Sequence, residues 1–279
     1  MKTTVLHAIN NIIDNDLYNL AKYKELTYKI SVNNTGEALE NLIKDALCGQ
    51  FELNETERMN LQNMYFSYCG NQNNPPDLII KRGDALEIKK IENTEGSIFL
   101  NSSFPKDKLY RDSKMITNAC RNCEDDWREK DICYIIGRVD KQQLKSLWFV
   151  YGNCYCAEPE TYTRIKDKIT NNLQALDIQS SKTKEIARIK QVDPLNITNL
   201  RIRGMWEIKH PSKAFSYITD KQPNPHIKSL MLKSKFEAFD NYIKNEISKK
   251  CNIQNVKIKN PNNPADLLES VLIEYQFKI

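Results

Sequence analysis

Residues 74–90, with the sequence NPPDLIIKRGDALEIKK, constrain the fold of this chain more than any other segment. Two apolar runs, LII and ALEI, flank the polar tetrapeptide KRGD, and this composition predicts two antiparallel strands joined by a tight turn. Side chains alternate between the two faces of a strand, so Glu87 and Lys89 are predicted to share one face. The start of the first strand lies beside the end of the second, and the hairpin therefore brings Asp77 close to both.

These three residue types at this spacing match the PD…ExK pattern, which is typical of Mg²⁺-dependent nucleases. Mg²⁺ prefers oxygen ligands and keeps several waters, so Asp77 and Glu87, with the Ile88 carbonyl as a further oxygen, would supply enough protein ligands. Lys89 would orient or deprotonate the attacking water and stabilise the developing charge, and a nearby divalent cation should depress its pKa. The short pattern alone leaves an ordinary surface hairpin as the alternative.

A helix is predicted shortly before the hairpin. Asn34 and Glu37 can form a capping box ahead of the amphipathic run ALENLIKDALC. Glu40 and Lys44 are predicted to lie on its exposed edge, and Glu40 is our candidate for a further acidic contact to the metal or its water. A carboxylate that simply faces solvent is the alternative. The predicted buried side consists of Ala38, Leu39, Leu42, Ile43, Ala46 and Leu47.

The remainder of the chain reads as alternating strands and helices. SIFLNSSFPKDKLY indicates a strand and a polar loop, followed by a helix through Cys123 and the strands DICYIIGRVD and KSLWFVYG. This order predicts an α/β fold with a mixed central β-sheet flanked by helices, and the PD…ExK hairpin on that sheet makes the expected fold class a PD-(D/E)xK nuclease core. Additional α/β elements follow in the C-terminal half, with strands at NITNLRIRGMW and NVKIKN and a helix at KFEAFDNYIKNEIS. No linker rich in Gly, Ser or Pro divides the chain, so we predict a single domain, 1–279, whose catalytic core covers about 35–152.

The charge of the chain is unevenly distributed. Its formal net charge is only +5, but residues 181–260 hold 17 Lys or Arg against 7 Asp or Glu. A polyanion such as DNA would be attracted to this part of the protein, with an affinity that falls as salt rises. We therefore predict a basic DNA-recognition region at about 181–260. A solvated lysine-rich face is the alternative.

The composition also indicates the cellular location to expect for the protein. No apolar run approaches a membrane span, and MKTTVLHAINNIIDND lacks the features of a secretory signal, so a cytoplasmic location is expected. The 8 cysteines should then be mostly reduced. Cys120 and Cys123 could pair with Cys154 and Cys156 in a zinc site, but ordinary buried or surface thiols are the favoured interpretation.

Five segments, in order, resemble the NgoPII-type restriction endonucleases, a branch of the PD-(D/E)xK nucleases. They are GEALENLIKD, FSYCGNQNNPPDLIIKRGDALEIKKIE, LNSSFPK, DPLNITNLRIRGMW and KIKNPNNPA. The resemblance covers most of the chain, with a Pro-Pro before Asp77 as a departure in a loop. It implies a type II restriction endonuclease that requires Mg²⁺ and acts as a homodimer on a palindrome, with GGCC as the associated site.

Reading a GC-rich palindrome calls for Arg or Lys side chains that donate to guanine O6 and N7. Arg201 and Arg203 lie two apart on the predicted strand NITNLRIRGMW, with Trp206 close behind, so both should face the same way. They are our first candidates for guanine readers, although contacts to phosphate would position the protein equally well. Further candidates for phosphate or groove contacts are Asn101, Ser102, Ser103 and Lys106.

Two other functions are also consistent with these residues. A PD-(D/E)xK nuclease of DNA repair would share the metal chemistry without the symmetric site. A basic DNA-binding protein with an inactive hairpin would bind DNA without cutting it. Mg²⁺-dependent cleavage into discrete fragments separates the restriction endonuclease from both.

Overall fold

A computed structural model describes residues 2–20, 23, 35–71, 74–92, 96–100, 103–141, 143–174, 187–189, 192–195, 200–220 and 224–277. Its strands, in chain order, are β1 (Phe66–Asn71), β2 (Asn74–Ile80), β3 (Ala85–Ile91), β4 (Ile98–Phe99), β5 (Lys108–Tyr110), β6 (Glu129–Asp140), β7 (Gln143–Tyr151), β8 (Ala187–Ile189), β9 (Leu200–Ile202), β10 (Glu207–Ile208), β11 (His226–Leu232), β12 (Asn252–Lys259) and β13 (Leu267–Gln276). Its helices are α1 (Val5–Asp14), α2 (Thr35–Cys48), α3 (Glu55–Tyr65), α4 (Asn118–Arg121), α5 (Gly152–Tyr155), α6 (Pro159–Gln174), α7 (Pro211–Ala214), α8 (Lys233–Glu237) and α9 (Asn241–Ser248).

A 9-stranded sheet forms the centre of the protein, with the order β1-β2-β3-β6-β7-β11-β13-β12 and with β5 paired to β6. The β3–β6 and β7–β11 pairs are parallel, and the other pairs in this sheet are antiparallel. The predicted mixed α/β sheet with flanking helices is therefore confirmed. Strands β11, β12 and β13 extend the same sheet into the C-terminal part of the chain.

The central strands are buried because helices cover the sheet. β6 and β7 are apolar along most of their length, as expected for strands covered on both faces. Helix α2 packs against α1 and β3, and all six of its predicted core positions are buried. Asn34, the predicted cap of α2, lies outside the described residues.

Gly137 on β6 allows α2 to approach the sheet closely. A Cβ atom at Gly137 would lie 2.5 Å from Leu39 Cδ2 of α2, so only glycine accommodates the leucine without a shift. Leu39 is fully buried at this contact. The contact holds the middle of α2 against the sheet and so fixes the position of Glu40, the next residue along the helix.

Several predicted elements differ from those observed. The predicted helix through Cys123 ends at Arg121. The predicted helix KFEAFDNYIKNEIS is two helices, α8 and α9, because Asp240 accepts a hydrogen bond from the Tyr242 amide at 2.7 Å and begins α9. Sequence reasoning missed α3, α6, β11 and β13. Among the described residues, no helix is long and apolar enough to cross a membrane.

Candidate active site

The β2–β3 hairpin forms as predicted, and its ladder ends beside Asp77. Leu78 pairs with Leu86 and Ile79 with Ala85. One step further along, the Ile88 amide donates a hydrogen bond to Asp77 Oδ2 at 2.6 Å. A side chain thus takes the donor that a continued backbone ladder would have used, and Asp77 is fixed directly beside the strand that carries Glu87 and Lys89.

Glu87 and Lys89 form an ion pair on one face of β3. Lys89 Nζ lies 2.7 Å from Glu87 Oε1, as their spacing of two along a strand predicts. Glu87 is 7% exposed, and its other oxygen, Oε2, is buried without a hydrogen-bond partner among the described residues. A buried carboxylate oxygen with no donor is costly unless a further group binds it. This oxygen is therefore an open coordination position.

The electrostatics of the three side chains are mutually dependent. Burial raises the pKa of Asp77, and the neighbouring Glu87 carboxylate raises it further. Burial lowers the pKa of Lys89, but Glu87 and Asp77 together raise it more, so its net shift is upward. The predicted depression of the Lys89 pKa concerns the site with a bound divalent cation and stays a prediction, whereas the protein's own carboxylates raise that pKa.

Glu40 lies within electrostatic reach of the hairpin. Its carboxylate raises the pKa values of Asp77 and Lys89 as a minor contributor to each. Its Oε1 also forms an ion pair with Lys44 Nζ at 2.5 Å. Helix α2 therefore brings Glu40 near the site, where Lys44 is its ion-pair partner.

A divalent cation fits this arrangement. Asp77 and Glu87 provide carboxylate oxygens, and the unpartnered Glu87 Oε2 is the observation that favours a bound cation. Among the described residues, no three His, Cys, Asp or Glu side chains gather into a larger ligand set. Mg²⁺ requires only one or two carboxylates in addition to waters and substrate phosphate. All 8 cysteines are free thiols.

The predicted DNA-reading segment lies next to the loop that follows β4. β10 pairs with β4, and the Leu100 amide donates to the Trp206 carbonyl at 2.8 Å. Phe104 stacks on Tyr162, with ring centroids 5.4 Å apart, and meets Trp206 edge to face at 6.4 Å. The two segments therefore form one surface, although about a hundred residues separate them in sequence.

The two predicted guanine readers are placed differently. Arg201 lies on β9, but its side chain is outside the described residues. β9 ends at Ile202, so Arg203 follows the strand and is exposed. Arg203 therefore lies just beyond the strand that the two arginines were predicted to share, and their common orientation stays a prediction.

The four candidates for phosphate or groove contacts at 101–106 also differ in their placement. Asn101 and Ser102 lie outside the described residues. Ser103 is half-buried, and Lys106, a candidate for a phosphate or groove contact, is only 5% exposed. Sequence reasoning also missed Tyr134 on β6, the register partner of Glu87. Its position beside Glu87 follows from strand order, which no local pattern reveals.

Comparison with known proteins gives a consistent assignment. The model of the NgoPII restriction endonuclease family matches residues 3–262. The type II restriction enzyme NgoPII of Neisseria gonorrhoeae is 42% identical over 277 residues, which cover 97% of this chain and 99% of the relative. No solved structure matches the chain. A match over this length takes in the hairpin, α2 and the segment around Trp206, and the chain belongs to the NgoPII restriction endonuclease family.

Proposed function

We propose that the protein cleaves double-stranded DNA at the palindrome GGCC in a Mg²⁺-dependent reaction that leaves 5′-phosphate and 3′-hydroxyl ends. The observation that carries this proposal is the hairpin geometry, in which Asp77 is fixed by the Ile88 amide and Glu87 keeps a buried oxygen without a partner. Family membership supports the reaction class. The GGCC site is the one that the sequence resemblance implies.

Asp77 and Glu87 would hold the Mg²⁺ ion, with Glu40 as a further acidic contact. When bound, Mg²⁺ supplies positive charge that stabilises the phosphate oxygens and favours ionisation of the attacking water. Lys89 Nζ, held by Glu87 Oε1 at 2.7 Å, would orient that water and stabilise the charge that develops on the phosphate. Burial of Glu87 excludes bulk water and strengthens each of these interactions.

A palindromic site has twofold symmetry, and we propose a homodimer that places one hairpin on each strand. The region at about 181–260 would supply the basic surface for the duplex. Arg201 and Arg203 would read guanine edges in the major groove, while Asn101, Ser102 and Ser103 would contact the DNA backbone.

The proposed homodimer is tested by analytical ultracentrifugation with a GGCC duplex, which is expected to show two chains per duplex.

The proposal is tested by digesting a plasmid of known sequence with the purified protein. With Mg²⁺ we expect discrete fragments whose ends map to GGCC and can be religated, and with EDTA we expect no cleavage. A plasmid without GGCC is the matched control and should stay intact. A smear in Mg²⁺ would support a repair nuclease, and binding without any cleavage would support a non-catalytic DNA-binding protein.

Replacing Arg203 by alanine is expected to weaken binding to a GGCC duplex by about tenfold or more, as loss of a contact to guanine does. Competition between GGCC and single-substitution duplexes in a gel-shift assay should show relaxed choice at one G·C pair. Lys213→Ala, which removes an exposed cation from α7, should leave site choice unchanged. If Arg203→Ala weakens all duplexes equally, Arg203 contacts phosphate and does not read a base.

A further inference from the structure

Lys106 is a buried cation beside the proposed catalytic residues. Glu87 and Tyr134 are register partners in the parallel β3–β6 ladder, so their side chains lie on the same face of the sheet. The Lys106 amide donates to Tyr134 Oη at 2.7 Å, and Tyr134 Oη donates back to the Lys106 carbonyl at 3.3 Å. Two hydrogen bonds therefore fix the Lys106 backbone over the residue that stands next to Glu87.

Among the residues that the structure describes, the ammonium group of Lys106 has only neutral hydrogen-bond partners. Nζ donates to Ser103 Oγ and, at 3.2 Å, to the Phe104 carbonyl. It forms no ion pair with the described carboxylates, although Glu87 lies within electrostatic reach. An ammonium has three donors, so one remains beyond these two bonds. Burial lowers the pKa of Lys106 to about 8, and Glu87 partly opposes that shift.

The loop that carries Lys106 is held in place by close packing against Gly152. A Cβ atom at Gly152, the first residue of α5, would lie 2.3 Å from the Lys106 carbonyl oxygen and 2.4 Å from that of Asp107. Glycine is therefore required for the loop to pack this closely against the end of β7. With Phe104 stacked on Tyr162, the loop holds the ammonium at a fixed position on the site's side of the sheet.

A buried cation without an anionic partner is costly to keep. A lysine at the surface would avoid this desolvation cost. A lysine whose only role is to hold the loop in place could be replaced by a neutral hydrogen-bond donor. Phosphate is the anion that the proposed reaction brings to this face of the sheet. An ammonium already removed from water interacts strongly with such an anion, because the surroundings screen it little.

We propose that Lys106 is a second catalytic lysine, which donates a hydrogen bond to the phosphate group at the point of cleavage. This inference rests on the proposed function. Lys89, bound to Glu87, serves the water, whereas Lys106 neutralises charge on the phosphate itself. The expected role is stabilisation of the transition state, and no bond to Lys106 forms or breaks.

The main test compares Lys106→Met with the parent in single-turnover cleavage of a GGCC duplex at saturating protein and Mg²⁺. The rate is expected to fall about 100-fold, as when one preorganised donor is removed. The urea midpoint should stay unchanged or rise, because methionine fills similar volume without a buried charge. A rate within about threefold of the parent, or a lowered urea midpoint alongside the slower rate, would overturn the assignment.

Lys108→Met is the matched control, because it makes the same substitution two residues away, at a lysine whose partner Glu129 is exposed. It should cleave within about threefold of the parent, since exposed ion pairs contribute little. A loss equal to that of Lys106→Met would mean that any cation near this loop has the same effect, and would overturn the specific role of Lys106. Cleavage of the same DNA by the parent protein tests the proposed function separately. If the parent cleaves and the Lys106→Met variant remains active, only the inference about Lys106 is rejected.

A second measurement does not depend on cleavage. Duplexes with a normal or an uncharged methylphosphonate group at the scissile position are bound in EDTA by the parent and by Lys106→Met. If the ammonium faces that phosphate, the variant's preference for the charged duplex should be lower than the parent's by about fivefold or more. Equal preferences in the two proteins would show that Lys106 does not contact the scissile phosphate.

Discussion

Replacement of Lys89 by alanine is expected to slow DNA cleavage by about 10²- to 10⁴-fold, the range typical for loss of a group that assists proton transfer or stabilises charge. Lys89 Nζ contacts Glu87 Oε1 at 2.7 Å, and in the proposed mechanism its ammonium would orient the attacking water. Single-turnover cleavage of a GGCC duplex at saturating protein measures the effect. Since Lys89 is a cation, its removal should not weaken Mg²⁺ binding, and excess Mg²⁺ should not restore the rate.

Lys90 provides a matched control on the same strand. It points to the opposite face, and its Nζ forms an ion pair with the 78% exposed side chain of Glu92 at 2.7 Å. Exposed pairs of this kind contribute little, so Lys90→Ala should cleave within about threefold of the parent. Equal losses in both variants would show that general charge on β3 matters and that Lys89 has no specific role.

The hairpin could be predicted because its determinants are local. A tight turn and the alternation of side chains place Glu87 and Lys89 on one face, and antiparallel pairing brings Asp77 alongside. Helix α2 was predictable for a similar reason, since its buried positions recur at helical spacing. Each of these inferences uses residues within one element or across one turn.

The surroundings of the hairpin depend on strand order, which the sequence does not reveal locally. Lys106 lies beside Glu87 only because β6 pairs with β3 and brings Tyr134 under the loop. The sequence indicated only a contact to phosphate or a groove, whereas the structure buries Lys106 in a loop that packs closely against Gly152. Likewise, β11 and β13 are short apolar runs that single-sequence patterns cannot distinguish from buried helix.

A second consequence of strand order is the ion-pair network that anchors the hairpin turn. Lys235 Nζ of α8 lies 2.6 Å from Asp84 Oδ1 and 2.7 Å from Asp131 Oδ2 of β6. Tyr151 Oη of β7 donates to Asp84 Oδ2 at 2.6 Å. Asp84 is the last residue of the turn between β2 and β3. The network therefore joins the turn to two other strands and to α8.

Replacing Lys235 by methionine is expected to lower the free energy of unfolding by about 3 kcal/mol, because removing one partner of a buried ion pair leaves carboxylates without compensation. Urea denaturation measures the change. Lys249→Met is the control, since it breaks an exposed pair with Glu246 on α9 and should leave the urea midpoint nearly unchanged, because exposed pairs contribute little. A Lys235→Met variant as stable as the parent would mean that the network contributes no net stability.

The pH dependence separates this electrostatic cause from lost packing. Burial lowers the pKa of Lys235, but Asp84 and Asp131 raise it more, so its net shift is upward from 10.5. A group with a raised folded pKa contributes stability in full below its unfolded pKa and loses it as pH rises through the folded value. The difference between parent and Lys235→Met should therefore be constant from about pH 6 to 9 and vanish only above about pH 10.5. A packing defect would give the same difference at every pH.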